Sequence, residues 1–251
     1  MKKFFSYDPK LLVYGFLIVF FASYGQTFFI SIFNSEIRSH YSLSDGEFGL
    51  IYAIATILSA VMLISFAKLI DYIDLRIYSL LISVGMILSC LAMFFFIKHV
   101  FYLLLIIFSL RFFGQGAMVH AGETTMARYF GNNRGKALSV STLGGMIGVM
   151  LLPMFIIYLM KYYTFNQIWL AASISIIIFI PIIFFLLNDQ VKRHINFKKN
   201  ISNDSSNQKW RTRDLIKQKI FYIYLPMSIT SSFVSTGLMF HQIFIFNQKG
   251  W

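Results

Sequence analysis

A single arginine stands inside a segment that is otherwise suited to hydrocarbon, LLLIIFSLRFFGQGAMV from Leu103 to Val119. An arginine at that depth costs roughly 2.5 to 3.5 kcal/mol on insertion scales, and its five N–H donors need acceptors. At about 100° per residue of an α-helix, Arg111, Gln115 and Gly122 share one face. His120 falls on the opposite side, about 180° away. This pattern leaves three roles open for Arg111, because it can bind an anion in a cavity, couple to protons or brace neighbouring helices.

Two further apolar segments carry polar stripes that could hydrogen-bond a solute. Helical spacing places the polar side chains of each segment within about 100° of arc. They are Ser23, Gln26, Thr27 and Asn34 in the first segment and Ser228, Ser231, Ser232, Ser235 and Gln242 in the last. A single Ser or Thr can bond to its own preceding turn, so the stripes with their glutamines, rather than any one hydroxyl, indicate a site.

Charged residues mark the ends of these apolar segments. Asp71 and Arg76 lie in the short connection AKLIDYIDLR, residues 67–76, while Arg128 and Arg134 follow the segment that contains Arg111. Such residues either stay solvated in a positive-inside turn or hold helix ends together. The sequence alone leaves both interpretations open.

Enzyme chemistry finds little support in the motifs. The sequence has no H-E-x-x-H, no G-x-S-x-G and no phosphate-binding loop with its lysine. Cys90 is the only cysteine, which excludes an internal disulfide and a cysteine-based metal site. His120 and Glu123 are three residues apart, but no second pair joins them. We therefore expect no enzyme, no metal and no cofactor.

The elements that position these residues are predicted to be helices that span a membrane. The 251-residue chain is 57% hydrophobic and 13% charged, a balance that soluble domains do not approach. A helix needs about 20 largely apolar residues to cross a hydrocarbon core about 30 Å thick. The runs that qualify are 11–33, 48–67, 77–97, 100–122, 137–160, 162–188 and 220–248. The sequence predicts an all-α membrane protein with seven spans, the first of them too long for a signal peptide.

The basic residues predict how the spans are oriented. With the N-terminus inside, 17 of the 22 Lys and Arg fall in inner segments and four in outer segments. We expect a cytoplasmic N-terminus and Trp251 outside. The net charge of +12 then reflects membrane topology, because the basic residues form no patch for nucleic acid.

The chain is predicted to contain three regions. Residues 1–188 form a six-helix bundle, 189–219 a basic cytoplasmic loop without apolar periodicity, and 220–251 a seventh helix. The layout suggests two halves of which the second is only begun. We expect a sequence truncated from twelve spans, and this part alone is not expected to transport.

Three motifs, in order along the chain, resemble those of the major facilitator superfamily. Leu69, Asp71 and Arg76 match the loop pattern G-x-L-a-D-r-x-G-r-k, although Ala67 and Asp74 replace its two glycines. The run LRFFGQG, residues 110–116, is similar to the R-x-x-G-x-G pattern of the fourth helix. Residues 127–153 resemble the "R-G-x-A-x-(S/G)" entry and glycine-rich fifth helix of organic-anion and monocarboxylate porters, in which Gly144 and Gly148 have the small-xxx-small spacing of helix packing.

The resemblance implies a secondary active transporter that works by alternating access, with the first, fourth and seventh helices lining the cavity. The substrate-binding or cavity-lining residues would be Gln26, Thr27, Arg111, Gln115, Ser228, Ser232, Ser235 and Gln242. Asp71, Arg76, Arg128 and Arg134 would form a conformational latch. Because Arg111 is the one charge inside a predicted span, the substrate is expected to be a small organic anion. The family implies H⁺ as coupling ion. The richness in Ile, Phe, Lys and Asn suggests an AT-rich bacterium, so the expected surroundings are the lipid of a bacterial inner membrane.

The positions of two glutamines indicate an internal repeat. Gln26 and Gln115 each follow a glycine and lie at equal depth from the start of their spans, as nested repeats would leave them.

The alternative function is a seven-helix receptor or sensor. A receptor fits the span count but places its N-terminus outside, and a retinal-binding receptor needs a lysine in the seventh span. An intramembrane enzyme would need a nucleophile and base that the sequence lacks.

Overall fold

The computed structural model describes residues 2–203, 214 and 216–250, and every regular element in these ranges is a helix. Seven helical stretches are long and apolar enough to cross a membrane, which confirms the predicted fold class. We number them spans 1 to 7: Pro9–Ile32, Asp45–Asp71, Leu75–Phe95, Val100–Tyr129, Gly131–Leu159, Phe165–Leu186 and Lys219–Gln242. The short helices Lys2–Phe5, Asn34–Tyr41 and Gln190–Asn203 flank or connect them, and the helix of span 7 runs over Lys219–Lys249.

The chain forms two compact units, Met1–Arg193 with spans 1 to 6 and His194–Trp251 with span 7. Within the first unit, span 1 packs against spans 4 and 5, span 2 against span 4, and span 3 against span 6. Span 1 is the most buried of these helices, whereas much of spans 2 and 5 is exposed. The polar residues of span 1 therefore lie at the centre of the bundle rather than on its surface.

Two spans depart from α-helical geometry at the same level. Span 1 passes from the α-helix Pro9–Phe21 through a 3₁₀ turn, Ala22–Gly25, to an extended residue, Gln26, with φ −83° and ψ 154°. Span 4 is wound as a π-helix over Arg111–Met118. Irregular backbone at membrane depth is tolerated where protein or a cavity surrounds it, and it often marks functional sites.

The two irregular stretches meet at a glycine pair. A Cβ on Gly25 would lie 2.1 Å from the carbonyl oxygen of Leu110 and 2.8 Å from the Cα of Gly114. Only glycine at both positions lets the backbones approach this closely. The predicted repeat positions, Gly25 before Gln26 and Gly114 before Gln115, are thus the point where spans 1 and 4 cross.

The π-helix changes which residues of span 4 are buried. Gly122 packs against Ile18 and Val19 of span 1. Gln115 and His120 are both half-buried, which an α-helical wheel that sets them on opposite sides does not suggest. A π turn takes more residues than an α turn, so the helix beyond Met118 is rotated from the phase assumed in the sequence analysis. Arg111 and Gly122 nevertheless both contact span 1, and the continuous strip from Arg111 through Gln115 to Gly122 stays a prediction.

Spans 1 and 5 approach each other at the two glycines singled out in the sequence. A Cβ on Gly144 would lie 2.1 Å from the carbonyl oxygen of Phe16, and a Cβ on Gly148 would lie 2.1 Å from the Oγ of Ser23. Neither position has room for a side chain. This geometry is what small-xxx-small spacing provides in membrane helices.

The first residues of the predicted basic loop are helical and anchored to the bundle. Arg193 donates to both carboxylate oxygens of Asp8, at 2.5 and 2.8 Å, and Lys10 pairs with Asp189 at 3.5 Å. Gln190 donates to the Tyr129 hydroxyl at 2.8 Å. These contacts stabilise a helix that has little apolar pattern of its own. Residues 204–213 of the predicted loop lie outside the described residues.

At the opposite end of the bundle, three side chains satisfy backbone carbonyls where span 3 ends. Tyr41 donates to Ile97 at 2.8 Å, Tyr102 donates to Ala92 at 2.9 Å, and Asn166 donates to Phe94. Desolvation by burial raises the pKa of Tyr41 to about 12, so its hydroxyl keeps the proton that it donates. The Ala92 and Ile97 carbonyls also accept from the backbone N–H groups of Phe96 and His99, so the two tyrosines add a second bond at the end of span 3.

Candidate functional site

Arg111 lies at the centre of the bundle, where spans 1, 2 and 4 meet. Its Nη1 donates to the Thr27 hydroxyl at 3.1 Å and to the Gly25 carbonyl at 3.5 Å. Its Nε donates to the Thr56 hydroxyl at 3.2 Å. Only 3% of the arginine surface is exposed. The guanidinium is therefore held between helices, so that the bracing role left open by the sequence has direct geometric support.

The break in span 1 supplies two of these acceptors. Because Gln26 is extended, the helix ends at Gly25 and restarts at Thr27. The Gly25 carbonyl consequently has no helical partner four residues on and accepts from Arg111. Backbone irregularity and side-chain charge are thus parts of one arrangement.

Span 2 contributes two residues that the sequence analysis did not identify. The ring centroid of Tyr52 lies 5.1 Å from the guanidinium carbon of Arg111, within the range of a cation–π contact. Its hydroxyl donates to the Thr27 hydroxyl at 2.9 Å. Thr56, one helical turn further on, accepts from Nε. Tyr and Thr are ordinary in apolar helices, so only their spacing of four, which puts both on one face, could have suggested them.

The electrostatics of the site are those of a buried cation with neutral partners. No carboxylate of the described residues forms an ion pair with Arg111. Hydroxyl and carbonyl oxygens solvate the guanidinium, but they leave its full positive charge in place. A low-dielectric interior carries that field further than water would. The site therefore favours an anion over a cation in its vicinity.

Two glutamines lie on the irregular stretches of spans 1 and 4, one on each. Gln26 is the extended residue next to Thr27, and Gln115 lies within the π-helix. Both are half-buried, in contrast to Arg111. The Gln115 Oε1 is buried without a hydrogen-bond partner, so this amide has capacity for a ligand. Of the predicted residues, Thr27 bonds directly to Arg111, whereas the part of Gln26 and Gln115 in the site stays a prediction.

The predicted site residues of span 7 are described only within their own unit. Ser228, Ser231 and Ser232 are exposed on the helix Lys219–Lys249, Ser235 is exposed as well, and so is Gln242. Their stripe on the helix is present, and their place beside Arg111 stays a prediction.

Of the four residues predicted as a latch, the structure joins two. Arg128, near the end of span 4, pairs with Asp71, at the end of span 2, and its Nη1 also donates to the Ile70 carbonyl at 3.3 Å. Arg76 pairs with Asp74 instead, through two bonds of 3.0 Å. Arg134 is exposed at the start of the helix Arg134–Leu159. The Asp71–Arg128 pair connects the ends of spans 2 and 4, the two spans that hold Arg111.

The remaining candidate groups do not form a site of their own. His120 bonds with Thr124 at 3.2 Å, and Cys90 is buried. Over the described ranges, His, Cys, Asp and Glu form no group of three that could hold a metal ion.

Comparison with known proteins identifies one family. A family model described as Major Facilitator Superfamily matches residues 15–251, nearly the whole chain. No curated protein matches the sequence, and no solved structure does.

Proposed function

Because the chain belongs to the major facilitator superfamily, a family of membrane transporters, we propose that it moves a small organic anion across the membrane by alternating access. The observation that carries the choice of an anion is Arg111, a buried guanidinium with hydroxyl and carbonyl partners and no carboxylate among the described residues. A carboxylate substrate would supply the missing negative charge through charge-assisted hydrogen bonds, which are about twice as strong as neutral ones.

The binding site is proposed to centre on the crossing of spans 1 and 4. Gln26 and Gln115 are half-buried there and have amide groups that can donate to an anionic oxygen. Discontinuous helices near the membrane midplane commonly hold transporter substrates, because their irregular backbone exposes polar groups. The proposed substrate-binding residues of span 7 are Ser228, Ser232, Ser235 and Gln242.

The Asp71–Arg128 pair is proposed to act as the latch between conformations. It fastens the ends of spans 2 and 4 on the side predicted to be cytoplasmic. A pair that exists in one conformation and breaks in the other biases their equilibrium by its own free energy. H⁺ as coupling ion, a bacterial inner membrane and a cytoplasmic N-terminus are part of the same proposal.

Uptake into vesicles that contain the full-length protein tests this function. The probes are radiolabelled lactate, pyruvate, succinate and oxalate, with a labelled amine as the cationic comparison. We expect uptake of at least one carboxylate and none of the amine. Arg111→Ala should lower that uptake by about tenfold or more, since one charge-assisted hydrogen bond is worth about 1.5 to 3 kcal/mol.

Lys98→Ala is the matched control, because Lys98 is an exposed cation in the connection between spans 3 and 4. Removing it takes away the same formal charge without touching the bundle interior. Carboxylate uptake that is unimpaired in Arg111→Ala would contradict the proposed role of Arg111. Uptake of the amine in preference to every carboxylate would contradict the anionic substrate.

A further inference from the structure

Tyr52 belongs to none of the motifs and is not among the predicted site residues, yet it contacts both Arg111 and the Thr27 hydroxyl to which Arg111 donates. Its ring covers the guanidinium at 5.1 Å, and its hydroxyl donates to Thr27 at 2.9 Å. Tyr52 and Thr27 are each 5% exposed. Nothing in the proposed function requires this tyrosine.

The Thr27 hydroxyl links the two contacts. Its oxygen accepts from Arg111 Nη1 at 3.1 Å and from the Tyr52 hydroxyl at 2.9 Å. A hydroxyl oxygen has two lone pairs, so these bonds use its full acceptor capacity and fix its direction. Each of these three side chains thus contacts the other two. The contact between Arg111 and Tyr52 is made by the face of the tyrosine ring.

We propose that Tyr52 is a positioning residue that orients the Arg111 guanidinium for anion binding, acting through Thr27 and through the face of its ring. The inference rests on the proposed function of Arg111 and adds a residue from span 2 to the substrate site. Planar guanidinium recognition of a carboxylate depends on orientation as well as charge. A guanidinium free to rotate about its side-chain bonds would bind an anion with lower affinity.

Tyr52→Phe separates positioning from packing. Phenylalanine keeps the ring and its volume but cannot donate to Thr27. We expect the KM for the best-transported carboxylate of the panel above to rise by roughly 2- to 10-fold, the range that the loss of one neutral hydrogen bond produces. The kcat should change less than about twofold, because the lost interaction acts on binding rather than on helix movement. Tyr52→Leu, which also loses the cation–π contact, should raise the KM further.

Tyr14→Phe is the matched control. Tyr14 is a fully buried tyrosine whose hydroxyl bonds to the Ser79 hydroxyl at 2.7 Å, and it has no hydrogen bond or ring contact with Arg111. It should lose a comparable bond without any change in KM. A second check uses Arg111→Lys, because the ammonium of lysine lacks the planar fork. In that background Tyr52→Phe should leave the KM within about twofold.

The outcomes distinguish this inference from the function on which it rests. If Arg111→Ala abolishes uptake but Tyr52→Phe leaves the KM as unchanged as Tyr14→Phe does, Tyr52 only packs and the inference is overturned. If Arg111→Ala transports normally, the anion site itself is wrong. A KM shift in Tyr52→Phe that persists unchanged in the Arg111→Lys background would also overturn the inference, because the effect would then not pass through the guanidinium.

Discussion

Neutral oxygens stabilise Arg111 inside the bundle, and the loss of any one of these acceptors should destabilise the fold. Thr27 and Gly25 come from span 1 and Thr56 from span 2, so the arginine links three helices. An arginine in the bilayer interior that loses an acceptor keeps its charge and its desolvation cost. The stability of the bundle should therefore depend on residues that would look interchangeable with apolar ones.

Thr56→Val tests that dependence at the level of one atom. Valine has nearly the same shape, but it leaves the Nε donor of Arg111 without its acceptor. We expect the free energy of unfolding in detergent, measured by denaturant titration, to fall by about 1 to 3 kcal/mol. Thr142→Val is the control, because Thr142 is exposed and bonds only to the Leu138 carbonyl of its own helix. Equal effects of the two substitutions would contradict the stabilising role of Thr56.

Residue identity alone predicted only part of this site. Arg111 and the two glutamines stand out because polar groups are rare in apolar runs, and their surroundings had to satisfy them. Tyr52 and Thr56 carry no such signal, since both residue types occur in membrane helices without a special role. Their contacts with Arg111 follow from the direction in which span 2 faces span 4, which depends on packing between helices distant in sequence.

The crossing of helices explains why glycines occur at particular positions within the spans. Gly25 contacts Gly114 at the crossing of spans 1 and 4, while Gly144 faces the backbone of Phe16 in span 1. A backbone carbonyl cannot move aside as a flexible side chain can. Glycines that face backbone should therefore tolerate substitution less well than glycines that face side chains.

Gly144→Ala and Gly145→Ala make a matched pair for this argument, because the two residues are adjacent in one helix. A Cβ added to Gly144 would lie 2.1 Å from a backbone oxygen, whereas one added to Gly145 would lie 3.3 Å from a methyl group of Val19. Overpacking of a rigid contact costs about 1 to 3 kcal/mol or more. We expect Gly144→Ala to lower the unfolding free energy by at least that amount, or to prevent folding, and Gly145→Ala to stay within about 1 kcal/mol of wild type. Similar losses in both variants would contradict the assigned contact.

The departures from α-helical geometry in spans 1 and 4 could not be predicted from the sequence. Apolar length predicted where each span lies to within several residues, because the hydrocarbon thickness sets it. The π-helix at Arg111–Met118 and the break at Gln26 arise from the demands of the glycine crossing and of the buried charge. Helical periodicity is calculated with one winding throughout, so neither irregularity could be predicted from it.

At the scale of the whole molecule, ion pairs join the ends of several helices on one side of the bundle. The Asp8–Arg193 and Lys10–Asp189 pairs tie the start of span 1 to the chain that leaves span 6, and Asp71–Arg128 joins spans 2 and 4. These pairs lie at the end that the positive-inside rule assigns to the cytoplasm. The same basic residues thus take part in both the expected orientation and the ion pairs that fasten this end. A count of Lys and Arg predicted the first role, whereas the second depends on the helix Gln190–Asn203, which the polar sequence did not indicate.

The orientation can be measured with two introduced cysteines, because the native Cys90 is fully buried and should not react. Lys68→Cys places an exposed thiol at the end predicted to be cytoplasmic, and Lys98→Cys places one in the connection predicted to be outside. In sealed right-side-out vesicles, a membrane-impermeant maleimide should label only Lys98→Cys. Both should be labelled after the vesicles are opened, which controls for thiol reactivity. Labelling of Lys68→Cys in sealed vesicles would reverse the proposed topology and would favour the receptor-like arrangement, whose N-terminus lies outside.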